Sequence, residues 1–155
     1  MSKIMFVCTG NICRSPMAHA IAQKVFADEG LSGYEFFSSG VSAMAGWGAT
    51  EEVGQALVGL GLEIGWHRAK DVTQEMMDEC SHIFAMTRDH VSILNQRFGY
   101  EGKTYLLSEF AEANDGDEDV QDPYAMGIRA YTECRDVLLK HILATAKKLA
   151  KEAQE

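Results

Sequence analysis

Apolar runs long enough to cross a bilayer, which takes about 18 residues, are absent from this chain of 155 residues. Basic residues are also few, with 14 Lys and Arg against 23 Asp and Glu and a formal net charge of -9. Nucleic-acid binding needs a basic footprint, so this balance argues against a nucleic-acid partner and against stable membrane association. If the protein binds phosphate, its positive field must be created locally.

Cysteines are few as well, and their spacing excludes two common uses. The four of them stand at positions 8, 13, 80 and 134, without the paired spacing of a zinc site or the density of a secreted disulfide framework. Only a short apolar run follows Met1-Ser2-Lys3, so we expect no secretory signal. These features predict a cytoplasmic protein whose thiols stay reduced.

Strand and helix patterns alternate along the chain, which at this length predicts one domain over residues 1–155. Predicted strands cover residues 3–7, 34–37, 81–86 and 104–107. Predicted helices cover residues 16–30, 50–60, 73–77, 91–98 and 125 to the end, with Pro16 in the first helical position and Thr50 and Thr73 as caps. The alternation predicts an α/β fold in which a four-stranded parallel sheet carries helices on both faces.

The most informative segment is Cys8-Thr9-Gly10-Asn11-Ile12-Cys13-Arg14-Ser15. It lies between the first strand and the first helix. A tight loop there directs backbone N–H groups inward at a helix N-terminus, where the dipole favours an anion. Cys8 would be stabilised as a thiolate nucleophile, and Arg14 offers a planar fork of donors to phosphate. The pattern predicts in-line attack of Cys8 on phosphorus, followed by hydrolysis of a phosphocysteine.

Residues 7–18, from Val7 through the loop to Pro16-Met17-Ala18, resemble the signature of the low-molecular-weight protein tyrosine phosphatases. The resemblance implies metal-free and cofactor-free hydrolysis of phosphotyrosine, with Cys8 as nucleophile, Arg14 as phosphate clamp and Ser15 as thiolate stabiliser. It also implies that Asn11 holds the loop through a strained backbone and a contact with Ser39. The remaining phosphate-binding and supporting residues that it implies are Thr9, Gly10, Ile12, Cys13 and His67.

A carboxylic acid must protonate the leaving group, and the residues alone do not select it. Six candidates lie in one acidic segment: Glu112, Asp115, Asp117, Glu118, Asp119 and Asp122. The resemblance selects Asp122, because Asp122-Pro123-Tyr124 is similar to the family's Asp-Pro-aromatic motif. It further implies Tyr124 as a rim aromatic, with Met44 and Trp47 as rim side chains from the variable loop at residues 41–49.

Three alternatives stay open beside hydrolysis of phosphotyrosine. Family members that prefer phosphoarginine carry threonine where this chain has Ile12, whose larger apolar side chain favours a phenol ring. Thioredoxin-coupled arsenate reductases share the loop but need a later cysteine pair, and only Cys80 stands in that region. A non-catalytic phosphate-binding or redox module is disfavoured because Cys8, Arg14, Ser15 and Asp122 are all present.

Partners and redox behaviour complete the expectations. We expect phosphotyrosine-containing proteins as substrates, a tyrosine kinase as a candidate partner, and a monomer or weak dimer. Cys13 stands five positions after Cys8, and a disulfide between them under oxidation would protect Cys8 from irreversible sulfinic acid.

Overall fold

The sheet has four parallel strands in the order β2-β1-β3-β4. A computed structural model describes residues 1–100, 102–112 and 118–154, so the candidate acids Asp115 and Asp117 lie outside the described residues. The strands are β1 (Ser2–Cys8), β2 (Tyr34–Gly40), β3 (His82–Ala85) and β4 (Thr104–Leu106). All three pairings are parallel, with Val7 opposite Ser39 on one side and Ala85 on the other. The predicted fold class is confirmed.

Six helices connect or follow the strands within the described residues. They are α1 (Arg14–Asp28), α2 (Glu51–Val58), α3 (Gln74–Glu79), α4 (Arg88–Phe98), α5 (Leu107–Ala111) and α6 (Ile128–Ala153). Thr73 caps α3 as predicted by accepting a hydrogen bond from Met76 N. None of these helices is both long and apolar enough to span a bilayer.

Alternate residues of β1 bury against the two faces of the sheet, as the pleat requires. Ile4 and Phe6 belong to the larger hydrophobic cluster, which also takes its buried side chains from α1, α2 and α6. Met5 and Val7 belong to a second cluster with Met77 of α3 and Leu94 of α4. Helices therefore cover both faces, and β1 is buried between them.

Most element boundaries differ from the predictions by a few residues, and three of the differences have an identifiable structural cause or consequence. Helix α1 begins at Arg14, so Pro16 is its third residue rather than its first; proline needs no N–H partner anywhere in the first turn. Strand β2 continues to Gly40, because β1 pairs with it as far as Cys8. Leu107 leaves the fourth strand and opens α5, a five-residue helix that the periodicity did not predict.

From β1 the chain adds β2 on one side of the sheet and then β3 and β4 on the other, so the topological switch point lies at β1. In open parallel sheets, ligands bind at such a switch point beyond the carboxyl ends of the strands. The segment between Cys8 and Arg14 occupies this position, since β1 ends at Cys8 and α1 begins at Arg14.

Candidate active site

The loop after β1 surrounds a cavity of about 190 Å³. The described residues that line it are Cys8, Thr9, Gly10, Ile12, Cys13, Arg14, Asp122 and Tyr124. The loop leads directly into the 15-residue helix α1, whose N-terminus favours an anion in the cavity. Cys8, Arg14 and Asp122, which were predicted as nucleophile, clamp and acid and lie up to 114 positions apart in the chain, are thus brought to one site.

The Cys8 thiol is held by hydrogen-bond donors. Its Sγ lies 2.9 Å from Ser15 Oγ, and Asn11 N donates to the same sulfur at 3.3 Å. Asn11 Nδ2 donates to Ser15 Oγ at 2.8 Å, which leaves the Ser15 proton for Cys8 Sγ or, at 3.3 Å, for the Ser39 carbonyl. The shorter distance to sulfur suits a hydroxyl that stabilises a thiolate, so the contact predicted for Ser15 is present.

Asn11 fixes the loop conformation with both its backbone and its side chain. Its φ of 57° lies in the left-handed region, where asparagine is tolerated better than most residues, which agrees with the strained backbone that the resemblance implied. The side chain is fully buried, and its Oδ1 accepts from Lys70 N at 3.0 Å. The loop is thereby tied to the segment that follows α2.

The predicted contact between Asn11 and Ser39 is wrong, because Asn11 Nδ2 donates to Ser38 Oγ at 2.9 Å. Neighbouring residues of a strand point to opposite faces of the sheet. Ser38 faces the α1 side, where the loop lies, whereas Ser39 Oγ donates to Met5 Sδ on the other side. Ser39 therefore contributes its carbonyl, which accepts from Ser15 Oγ, to this network.

Gly40 is a site residue that sequence reasoning missed. A Cβ at this position would lie 2.5 Å from the Thr9 carbonyl oxygen and 3.0 Å from Asn11 N. Both atoms belong to the backbone of the loop, which therefore packs directly on the end of β2. Only a residue without a side chain allows this approach, which is one physical reason for a glycine in a strand.

Arg14 joins the loop to the acid segment. Its side chain is buried, with Nη1 donating to the Val120 carbonyl at 3.1 Å and Nη2 lying 3.6 Å from Asp122 Oδ2. Asp122 is half exposed, and its Oδ1 accepts from Tyr124 N at 3.1 Å. Of the acids considered from sequence, Asp122 is the one that lines the cavity among the described residues.

Two histidines support the loop from outside the cavity. His67 is buried, and its Nε2 donates to the Asn11 carbonyl at 2.6 Å, which is the support predicted for it. Burial lowers the pKa of His67, which favours the neutral ring. His90, which sequence reasoning missed, places Nε2 2.8 Å from Thr9 Oγ1. Its position just beyond β3, beside β1, is the signal that could have indicated it.

Cys13 is the N-cap residue of α1, and its thiol is buried away from the bulk solvent. Its Sγ lies 3.3 Å from Tyr131 Oη and 3.8 Å from Thr50 Oγ1. Burial raises the pKa of the Cys13 thiol, which favours its neutral form. All four cysteines are free in the structure, and the disulfide between Cys8 and Cys13 stays a prediction.

The rim residues divide into two groups. Tyr124 and the half-buried Ile12 line the cavity, and Tyr124 is 54% exposed, as expected of a rim aromatic rather than a core residue. Met44 and Trp47 are 58% and 52% exposed but are not among the described lining residues. Their loop is instead joined to the Ala69 backbone by two hydrogen bonds. Gly46 N donates to the Ala69 carbonyl, and Ala69 N donates to the Trp47 carbonyl. A direct contact of Met44 or Trp47 with substrate stays a prediction.

Comparison with known proteins shows the family to which the chain belongs. The family model described as low molecular weight phosphotyrosine protein phosphatase matches residues 3–155. The chain belongs to that family. It is accordingly a phosphatase, a hydrolase of the class that acts on phosphorylated proteins.

Relatives of two specificities are found. The chain is 37% identical over 151 residues to a protein-arginine-phosphatase of Geobacillus stearothermophilus, covering 97% of each chain. It is 30% identical over 135 residues to the low molecular weight protein-tyrosine-phosphatase YfkJ of Bacillus subtilis, covering 82% of this chain and 83% of the relative. A solved structure of a YwlE arginine phosphatase mutant with a phosphorylated active-site serine superposes with a TM-score of 0.92 at 34% identity and 98% coverage of both chains.

Proposed function

We propose that this phosphatase hydrolyses phosphotyrosine in proteins through a phosphocysteine on Cys8. The observation that carries the proposal is the cavity that Cys8, Arg14 and Asp122 line together with Ile12 and Tyr124. A phosphorylated serine in the active site of the YwlE mutant supports phosphoryl transfer to a side chain of the protein in this family.

In the first step the Cys8 thiolate attacks phosphorus while the bond to the phenol oxygen breaks. Asp122, as the carboxylic acid, gives its proton to that oxygen, so that tyrosine leaves as a neutral phenol. Arg14 and the loop N–H groups stabilise the equatorial oxygens of the transition state, where charge is greatest. Ser15 Oγ, 2.9 Å from Cys8 Sγ, stabilises the thiolate before attack and when it is released.

In the second step water attacks the phosphocysteine and the sulfur leaves as a thiolate. Asp122 is now ionised, and it accepts a proton from the water, so each turnover returns the site to its starting protonation state. In the absence of substrate this carboxylate lies 3.6 Å from Arg14 Nη2. A phosphoryl group that enters the cavity replaces Asp122 as the partner of the Arg14 guanidinium. Asp122 is then free to face the leaving oxygen.

Aryl substrates are favoured by the apolar and aromatic side chains at the mouth of the cavity. Ile12 is half-buried in the loop and Tyr124 lies on the rim, so a phenol ring finds an apolar and an aromatic neighbour. A guanidinium would instead need acceptors. Among the described residues that line the cavity, Asp122 supplies the one carboxylate.

Phosphoarginine hydrolysis is the second candidate, because a relative covering 97% of this chain is named a protein-arginine-phosphatase. Phosphotyrosine and phosphoarginine peptides of the same sequence should be compared by kcat/KM. We expect the wild type to prefer phosphotyrosine by at least about tenfold, the effect of roughly 1.4 kcal/mol in the transition state. A preference for phosphoarginine would replace the first candidate by the second.

Substitution at position 12 tests the cause of that preference. Ile12→Thr replaces an apolar contact by a hydroxyl, and we expect it to lower the ratio of phosphotyrosine to phosphoarginine hydrolysis. Ile12→Val is the matched control, since it is β-branched and apolar and removes one methylene, and it should keep the wild-type ratio. An unchanged ratio in Ile12→Thr would show that this side chain does not determine the substrate.

A further inference from the structure

The segment that carries Asp122, residues 118–123, has no regular secondary structure. A general acid must nevertheless stand within hydrogen-bond reach of the oxygen that it protonates. Among the described residues, hydrogen bonds at four points tie the segment to the protein body. Val120 N donates to Met86 O at 2.8 Å, and the Val120 carbonyl accepts from Arg14 at 3.1 Å. Ser108 Oγ donates to the Glu118 carbonyl at 2.6 Å.

The fourth hydrogen bond comes from a side chain of the segment itself. Asp119 Oδ1 accepts from the backbone N–H of Arg88 at 2.9 Å. Arg88 is the first residue of the 11-residue helix α4, where the helix dipole adds to the attraction of a carboxylate. Because α4 follows β3 at the carboxyl edge of the sheet, this contact fixes the segment three residues before Asp122.

We propose that Asp119 is a positioning residue for catalysis and that it sets the reach of Asp122 into the cavity. Its carboxylate holds the segment against the N-terminus of α4, while Arg14 and Met86 hold Val120 next to it. Without the Asp119 contact the segment keeps the two Val120 bonds and the Ser108 bond but can pivot, and Asp122 moves relative to the leaving oxygen. The proposal rests on the proposed function, in which Asp122 protonates that oxygen.

Leaving-group dependence separates this role from a structural one. A misplaced acid matters for a basic leaving group and little for one that departs without a proton. We expect Asp119→Ala to lower kcat/KM for phenyl phosphate about tenfold or more, since displacement of catalytic groups by 1 Å costs up to roughly 100-fold. For 2,4-dinitrophenyl phosphate the loss should stay below about twofold, because proton donation contributes little there.

A double variant tests whether Asp119 acts through the acid. Asp119→Ala combined with Asp122→Ala should be no slower than Asp122→Ala alone, because the group being positioned is already gone. Asp119→Asn keeps an acceptor oxygen and should recover most of the phenyl phosphate activity. Glu118→Gln is the matched control: it alters the adjacent carboxylate, while the backbone carbonyl that Ser108 binds remains.

Two results would overturn the proposal: equal losses for both leaving groups, or an Asp119→Ala loss that multiplies with that of Asp122→Ala. If Asp119→Ala does not fold, Asp119→Glu, which displaces the carboxylate by one methylene relative to Arg88 N, must show the same leaving-group signature. Failure of the proposed function looks different. In that case wild type does not turn over either ester, or Cys8→Ser retains activity.

Discussion

Asn11→Ala is expected to destabilise the protein strongly, because one buried side chain joins α1, β2 and the segment between α2 and α3. Asn11 donates to Ser15 Oγ and Ser38 Oγ, at 2.8 and 2.9 Å, and accepts from Lys70 N at 3.0 Å. Leaving a buried donor or acceptor without a partner costs about 1–3 kcal/mol. With partial relaxation among the three partners, we expect a loss of about 3–5 kcal/mol in the free energy of unfolding.

Backbone strain adds to the destabilisation of Asn11→Ala, and comparison with Asn11→Gly isolates this contribution. The φ of 57° at Asn11 costs an alanine about 1–2 kcal/mol, whereas glycine adopts it without strain. Glycine also makes the unfolded chain more flexible, which costs about 0.4–1 kcal/mol. Asn11→Gly should therefore be more stable than Asn11→Ala by about 0.5–1 kcal/mol, although both lose the same hydrogen bonds.

Urea unfolding followed by circular dichroism measures both differences, with kcat/KM for an aryl phosphate recorded in parallel. Asn95→Ala is the matched control, because Asn95 Oδ1 has no hydrogen-bond partner among the described residues. It should change the free energy of unfolding by less than about 1 kcal/mol. A stability of Asn11→Ala close to wild type would refute the role of the network, and an alanine variant at least as stable as the glycine variant would refute the strain.

Two further predictions concern packing and pH. Gly40→Ala should lower both stability and kcat/KM, because the new Cβ meets the Thr9 carbonyl at 2.5 Å and must displace the loop; activity at the wild-type level would contradict this. Burial lowers the pKa of His19 and His90 in the folded protein to about 4. In the unfolded chain the pKa of a histidine is about 6.5, so below that pH the unfolded state binds more protons than the folded state. The stability from each neutral histidine is complete above about pH 6.5 and falls by about 2 kcal/mol between pH 7 and 5. Replacing either residue by glutamine should reduce the change of the free energy of unfolding with pH in that window. An unchanged dependence on pH would exclude the effect.

The loop after β1 could be predicted from the sequence as a candidate site because its parts are contiguous. Cys8, Asn11, Arg14 and Ser15 lie within eight positions, between an apolar run and a helical pattern. The strained backbone of Asn11 was implied only by the family resemblance, and its positive φ is a finding of the structure. Asp122 lies far away in the chain and was selected only through the family resemblance.

What the sequence did not show depends on contacts between distant segments. The choice between Ser38 and Ser39 as partner of Asn11 depends on which face of β2 each side chain takes, and a shift of one residue reverses it. Gly40 is required by the approach of the loop backbone, and nothing local to β2 indicates that contact. His90 reaches Thr9 because β3 lies beside β1, which is a property of the sheet topology.

The most direct test of the central claim is detection of phosphate on Cys8 during turnover. Wild-type enzyme is mixed with p-nitrophenyl phosphate at mildly acidic pH with a chelator present, quenched with acid within the first turnovers and analysed by mass spectrometry. We predict one phosphoryl group per chain on the peptide that contains Cys8, and neither phosphocysteine nor turnover in Cys8→Ser. Hydrolysis by the wild type with no phosphorylated Cys8, or by Cys8→Ser at a comparable rate, would contradict the account.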